Sequence, residues 1–149
     1  MRVSAPGRAP VAAAATLTAL AGLHVAWGMG SAFPVSVRTD LADVVAGSDV
    51  VPGPAACFAV AGALLCAAGV VAGAARTGAP VLRAGAGVVT AAFAARAVMG
   101  ITGATAFLAP GGTTTERFRR LDRRVYSPLC AAIALASLPA AASAGAPRR

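Results

Sequence analysis

Four long stretches of this 149-residue chain are almost free of charged side chains. Residues 9–37, 50–75 and 125–147 carry none, and residues 84–115 carry one, Arg96. A helix needs about 20 predominantly apolar residues to cross the hydrocarbon core of a bilayer. We therefore predict an all-α fold, an integral membrane bundle of four transmembrane helices that forms a single domain over residues 1–149. The predicted spans cover residues 11–33, 54–75, 84–108 and 125–145.

The composition excludes the other classes of protein. Hydrophobic residues make up 58% of the chain and charged residues 12%, about half of the ~25% found in ordinary soluble domains. All 13 basic residues are arginines, and most lie at the ends of apolar stretches, as in membrane proteins. We therefore expect the lipid bilayer as the partner, and no nucleic acid, despite the net charge of +8.

The arginines leave the membrane orientation nearly balanced. If the N-terminus is cytoplasmic, six arginines lie on each side of the membrane, so the positive-inside rule gives no preference. Two arginines precede the first span and one follows it. This difference favours cytoplasmic N- and C-termini for a multi-pass protein that we place in the cell membrane.

One charged residue, Arg96, lies near the middle of the third predicted span. An arginine there costs at least about 2.5–3.5 kcal/mol on insertion scales, and no acidic residue lies in a predicted span to pair with it. His24 falls at nearly the same depth in the first span, with Trp27 one turn further on. His24, Trp27 and Arg96 form a candidate intramembrane binding site, with an unknown substrate. In the structural alternative, Arg96 bonds to His24, backbone carbonyls or water, or extends to the surface.

Cys57 and Cys130 lie in the first turns of the second and fourth predicted spans, which start at the same membrane face. A disulfide persists where that face is oxidising. A disulfide, a redox-active thiol pair and plain apolar packing all remain open. We expect no metal, no cofactor and no identifiable catalytic residue, because zinc motifs, phosphate loops and dinucleotide-binding motifs are missing from the sequence.

The charged segment 116–124 carries Phe118 and Leu121 at helical spacing. This pattern predicts a short amphipathic helix at the membrane interface before the fourth span. Further residues at the same membrane face as Trp27 and Cys57 indicate that a site lies there. These residues are Pro54, Asp122, Tyr126 and Pro128.

Several segments carry a resemblance to a known family. They are LHVAWGMG (23–30), PGPAAC (52–57), FRRLD (118–122) and YSPLC (126–130). They resemble small four-span bacterial membrane proteins known as domain of unknown function 3995. The resemblance covers about residues 12–140 and is most specific between Leu121 and Cys130. It implies a four-helix membrane fold in a bacterial cell membrane and no assigned activity.

Three functions follow, in order of preference. The first is a non-enzymatic membrane protein with a structural or interaction role, including homo-oligomer formation, because four short spans rich in small residues form a thin core. The second is a small-solute or proton transporter that uses a layer formed by His24 and Arg96. The third is a membrane thiol redox protein that uses Cys57 and Cys130. Enzymatic activity is left open, with a preference against it.

Overall fold

The described part of the chain is built from helices. A computed structural model describes residues 7–48, 50, 52–105 and 114–142, and within these ranges there is no strand. The elements are α1 (Arg8–Gly28), α2 (Arg38–Ala46), α3 (Pro54–Thr77), α4 (Pro80–Thr102), α5 (Glu116–Leu121), the π-helical turn (Asp122–Tyr126) and α6 (Ser127–Ala142). α5, the π-helical turn and α6 follow one another directly, and we call this continuous helix the fourth spanning helix.

Four of these helices are long and apolar enough to cross a membrane: α1, α3, α4 and the fourth spanning helix. They contain 21, 24, 23 and 27 residues, and about 20 suffice for a span. The predicted all-α, four-span fold is therefore confirmed, and the chain is a multi-pass membrane protein. The predicted ends of the third and fourth spans, at 106–108 and 143–145, lie outside the described residues.

Proline and glycine set several of the helix ends. Pro54 and Pro80 occupy the first turns of α3 and α4, where a missing N–H removes no helical hydrogen bond. The same two helices end at Gly78 and Gly103, whose φ angles are +63° and +81°. Glycine adopts this left-handed conformation without steric cost. α1 ends at Gly28, earlier than the predicted boundary at residue 33.

The first loop contains a helix that the sequence did not predict, α2. Leu41 and Val44 on α2 are buried. The hydroxyl of Tyr126 donates to the carbonyl of Val44 at 3.0 Å, and the N–H of Thr115 donates to the carbonyl of Gly47 at 3.3 Å. These bonds attach the first loop to the start of the fourth spanning helix.

The spanning helices pack mainly as two pairs of consecutive helices, α1 with α3 and α4 with α6. Alanines dominate the buried core between them, together with Leu17, Val71 and Ile133. Small side chains let helix backbones approach closely in lipid. Between 17% and 28% of the residues in the most apolar 18-residue segment of each span are buried within the chain. Most residues of each span are therefore exposed, wholly or in part, to lipid or to another protein.

Candidate functional site

Asp122 is the one buried charged residue in the described part of the chain, with 1% of its surface exposed. Its Oδ1 lies 2.9 Å from Nη2 of Arg96 and accepts a hydrogen bond from the Ser127 hydroxyl at 3.2 Å. Its Oδ2 accepts a hydrogen bond from the Thr105 hydroxyl at 3.0 Å. We call these four residues the polar site. A buried carboxylate needs such partners, because an unpaired charge is costly in an apolar environment.

Gly100 lets α4 approach the fourth spanning helix at the polar site. It lies one turn from Arg96 on the same helix face. A Cβ added to Gly100 would lie 1.9 Å from Oγ of Ser127, 2.7 Å from Oδ1 of Asp122 and 2.9 Å from Nη1 of Arg96. Any larger residue at this position would therefore collide with three members of the polar site.

The π-helical turn brings Asp122 and Ser127 to the same side of the helix. The N–H of Ser127 bonds to the carbonyl of Asp122, five residues earlier. In a regular α-helix, residues five apart lie about 140° apart around the axis, and their side chains would face different neighbours. The turn ends two residues before Pro128, whose ring would clash with the carbonyl of Arg124 in a regular α-helix. Turns of this kind occur frequently at functional sites.

The guanidinium of Arg96 is only partly used by its ion pair. The side chain is 31% exposed, and its Nη1 atom is buried without a hydrogen-bond partner among the described residues. Arg96 therefore connects Asp122 to the margin of the bundle and retains donors that could bind one further acceptor.

The expectation that Arg96 has no acidic partner is wrong. The predicted fourth span begins at residue 125, which leaves Asp122 in a separate interfacial helix. In the structure, the helix runs without a break from Glu116 into α6, and Asp122 turns into the bundle. The sequence held a signal for this, because Phe118 and Asp122 are four residues apart and share a helix face. Phe118 is buried, so Asp122 lies on the apolar face of that helix.

His24 and Trp27 lie on α1 with partners of their own. His24 Nδ1 donates to the carbonyl of Leu20 at 2.8 Å, and its ring meets the Trp27 ring edge-on, with 4.8 Å between the centroids. The Trp27 indole N–H donates to the carbonyl of Phe33 at 2.6 Å. The structure therefore forms no direct hydrogen bond between His24 and Arg96.

The three cysteines are free thiols, so the disulfide considered for Cys57 and Cys130 is not formed. Cys57 is buried with Trp27 and Leu41, and its Sγ lies 3.9 Å from the carbonyl oxygen of Pro52. Cys130 is partly buried on α6. The two thiols thus belong to different packing surroundings.

We expect the number of reactive thiols to be independent of reductant. Membranes containing the protein would be denatured in SDS with an alkylating reagent, with or without prior reduction, and the intact mass measured. Three alkyl groups should be added in both conditions, since the chain has three cysteines and all are free. A mass short by two alkyl groups in the unreduced sample would show a disulfide and contradict the structure.

The remaining predicted residues shape the helices around the polar site. Pro54 begins α3, Pro128 is exposed at the start of α6, and the Tyr126 hydroxyl is bonded to α2. Of the four residues predicted at this membrane face, Asp122 alone joins the polar site. Within the described ranges, no group of three or more His, Cys, Asp or Glu residues could hold a metal ion.

Comparison with known proteins gives one relationship. A family described as a protein of unknown function, DUF3995, matches residues 17–137. The match runs from the middle of α1 into α6 and includes the whole polar site. No curated protein and no solved structure matches the chain. Because the matched region covers most of the sequence, the chain belongs to the DUF3995 family of proteins of unknown function.

Proposed function

We propose that this protein is a non-enzymatic component of the cell membrane with a structural or interaction role. The observation that carries the proposal is the pairing within the polar site. The Asp122 carboxylate receives donors from Arg96, Thr105 and Ser127. An acid whose oxygens are occupied in this way stabilises one arrangement of its neighbours.

The structural part of the role follows from the physics of helices in lipid. Lipid tails are as apolar as the side chains that they contact, so burial alone does not select which helix faces meet. A buried ion pair can select one register, because every other arrangement leaves a charge unpaired. The Arg96–Asp122 pair would fix α4 against the fourth spanning helix in this way.

The interaction part of the role follows from the surface that the bundle leaves uncovered. Val81 and Val88 are exposed on α4. Because they are seven residues apart, which is about two helical turns, they lie on one face of that helix. This face suits either lipid or another membrane protein. We include a second copy of this chain among those partners, since a thin bundle gains stability by association.

A second candidate function, proton or solute transport, is favoured by one observation. The Nη1 atom of Arg96 is buried without a partner among the described residues, and ionisable residues inside membranes commonly lie on ion or substrate pathways. Such a pathway would centre on Arg96 and Asp122 and would not require His24. A thiol redox function has weaker support, because Cys57 and Cys130 do not share one environment.

Proton flux in liposomes tests the proposal against the transport alternative. Purified protein would be reconstituted around a pH-sensitive dye, and a pH gradient applied together with a potassium diffusion potential. The matched variant is Arg96→Met/Asp122→Leu, which removes both charges and keeps the branched shape of the side chain at residue 122. We expect wild type, variant and protein-free liposomes to show the same rate of pH change. A faster rate in wild type that the variant loses would support transport and overturn the proposal.

A further inference from the structure

A groove lined by arginines lies at the start of the fourth spanning helix, apart from the polar site. It has a volume of about 520 Å³, and we call it the arginine groove. Its four guanidinium groups and one carboxylate give it a net charge of +3. The lining residues are Glu116, Arg119, Arg120, Arg123 and Arg124.

Most of this charge has no partner in the described part of the chain. Glu116 accepts hydrogen bonds from Arg119, which neutralises one arginine. Arg120, Arg123 and Arg124 form no hydrogen bond and no ion pair with any described residue. Arg120 and Arg124 are four residues apart, so their side chains are neighbours on the helix surface. Like charges at this spacing repel one another, and an anion bound between them would relieve that repulsion.

The exposed surface of the fourth spanning helix is apolar beyond the groove. Leu135 and Leu138 are 70% and 49% exposed, and the four arginines of the groove are exposed as well. The leucines follow Arg124 by 11 and 14 residues, which is about three and four helical turns. The exposed surface of this helix therefore carries cationic groups near its start and leucines further into the membrane.

We propose that the arginine groove binds the phosphate of an anionic phospholipid, whose acyl chains lie along the face formed by Leu135 and Leu138. Guanidinium groups bind phosphate oxygens through paired N–H donors. A zwitterionic headgroup would bring its own cation close to the unpaired arginines, which disfavours phosphatidylcholine. This inference goes beyond the structural role of the polar site, because it gives the protein a preference among lipids.

Native mass spectrometry of the detergent-solubilised protein tests this preference. The protein would be titrated with phosphatidylglycerol or with phosphatidylcholine carrying the same acyl chains, and bound lipids counted. We expect wild type to bind phosphatidylglycerol more tightly. An arginine near anionic lipid contributes roughly fivefold in affinity, so Arg120→Gln/Arg124→Gln should weaken phosphatidylglycerol binding about 10- to 30-fold. Phosphatidylcholine binding should not change.

The matched control is Arg8→Gln/Arg76→Gln, which removes the same charge. Both arginines are exposed. They lie at the start of α1 and in the last turn of α3, at the end of the bundle away from the arginine groove. It should keep the wild-type preference for phosphatidylglycerol. Equal binding of the two lipids by wild type would overturn the proposal, and so would an equal loss in the two double variants. Displacement of phosphatidylglycerol by millimolar inorganic phosphate would show a soluble-anion site instead and would also overturn it. The single variant Arg124→Gln, at an exposed and unpaired side chain, should by itself give about a fivefold loss.

Discussion

Replacing Asp122 with asparagine is expected to lower the free energy of unfolding by about 3–5 kcal/mol. Asparagine has nearly the same size and still accepts a hydrogen bond from Thr105, but it removes the counter-charge of Arg96. The guanidinium would then remain between α4 and the fourth spanning helix as an uncompensated charge. Titration of the detergent-solubilised protein with SDS would measure the loss, with fluorescence from Trp27, the one tryptophan of the sequence.

Two variants separate the buried pair from a general charge effect. Asp43→Asn breaks the more exposed pair with Arg117, whose atoms are 3.6 Å apart, and should cost less than about 1 kcal/mol. Arg96→Met/Asp122→Leu removes the charges of both partners, and replacing an ion pair by well-packed apolar residues is often neutral or stabilising. If Asp122→Asn is no more harmful than Asp43→Asn, the pair does not hold the helices in place.

Replacing Gly100 with alanine is expected to lower the free energy of unfolding by about 2 kcal/mol or more, because the new methyl group overfills a closely packed contact. The added Cβ would lie 1.9 Å from the Ser127 hydroxyl oxygen, so one of the two helices must move. Gly87→Ala is the matched control, since it lies on the same helix and an added Cβ there meets no atom within 4 Å. Gly87→Ala should be neutral or slightly stabilising, because alanine is the better helix former.

A double-mutant cycle tests whether the Ser127 contact causes the loss. Ser127→Ala removes the oxygen atom that the new methyl group would strike, so the loss from Gly100→Ala should be smaller in the Ser127→Ala background. Residues in direct contact show interaction energies of about 0.5–3 kcal/mol in such cycles. Strict additivity of the two substitutions would contradict the close approach of α4 at Gly100.

The spanning helices could be predicted from the sequence because their signal is collective. An uncharged stretch of the required length has few alternatives to crossing a bilayer, and Pro54 placed the start of the second span at the residue where α3 begins. The resemblance to DUF3995 was confirmed by the family match over residues 17–137. The docking of α2 was not predictable, because it depends on contacts distant in sequence, such as Tyr126 with Val44.

The partner of Arg96 was missed for a different reason. The spans were predicted from stretches free of charge, so the whole arginine-rich segment was left out of the fourth span, and Asp122 with it. The presence of charge does not show which side chain of a charged segment turns inward. Helix-face counting from Phe118 would have identified Asp122, but it would not have identified Ser127. The π-helical turn alters the residue count around the helix, and Ser127 reaches Asp122 only because of it.

The π-helical turn also makes the segment between Asp122 and Ser127 tolerant of a change in length. Deleting one residue between 123 and 126 would place Asp122 and Ser127 four residues apart, and a regular α-helix holds residues at that spacing on the same face. Asp122 would then stay beside Arg96 although the π-helical turn had gone. An alignment of two such sequences needs a one-residue gap in this segment, because only the gap matches both the acid and the serine of the polar site. Comparison of the site between relatives therefore depends on the position of that gap as well as on residue identity.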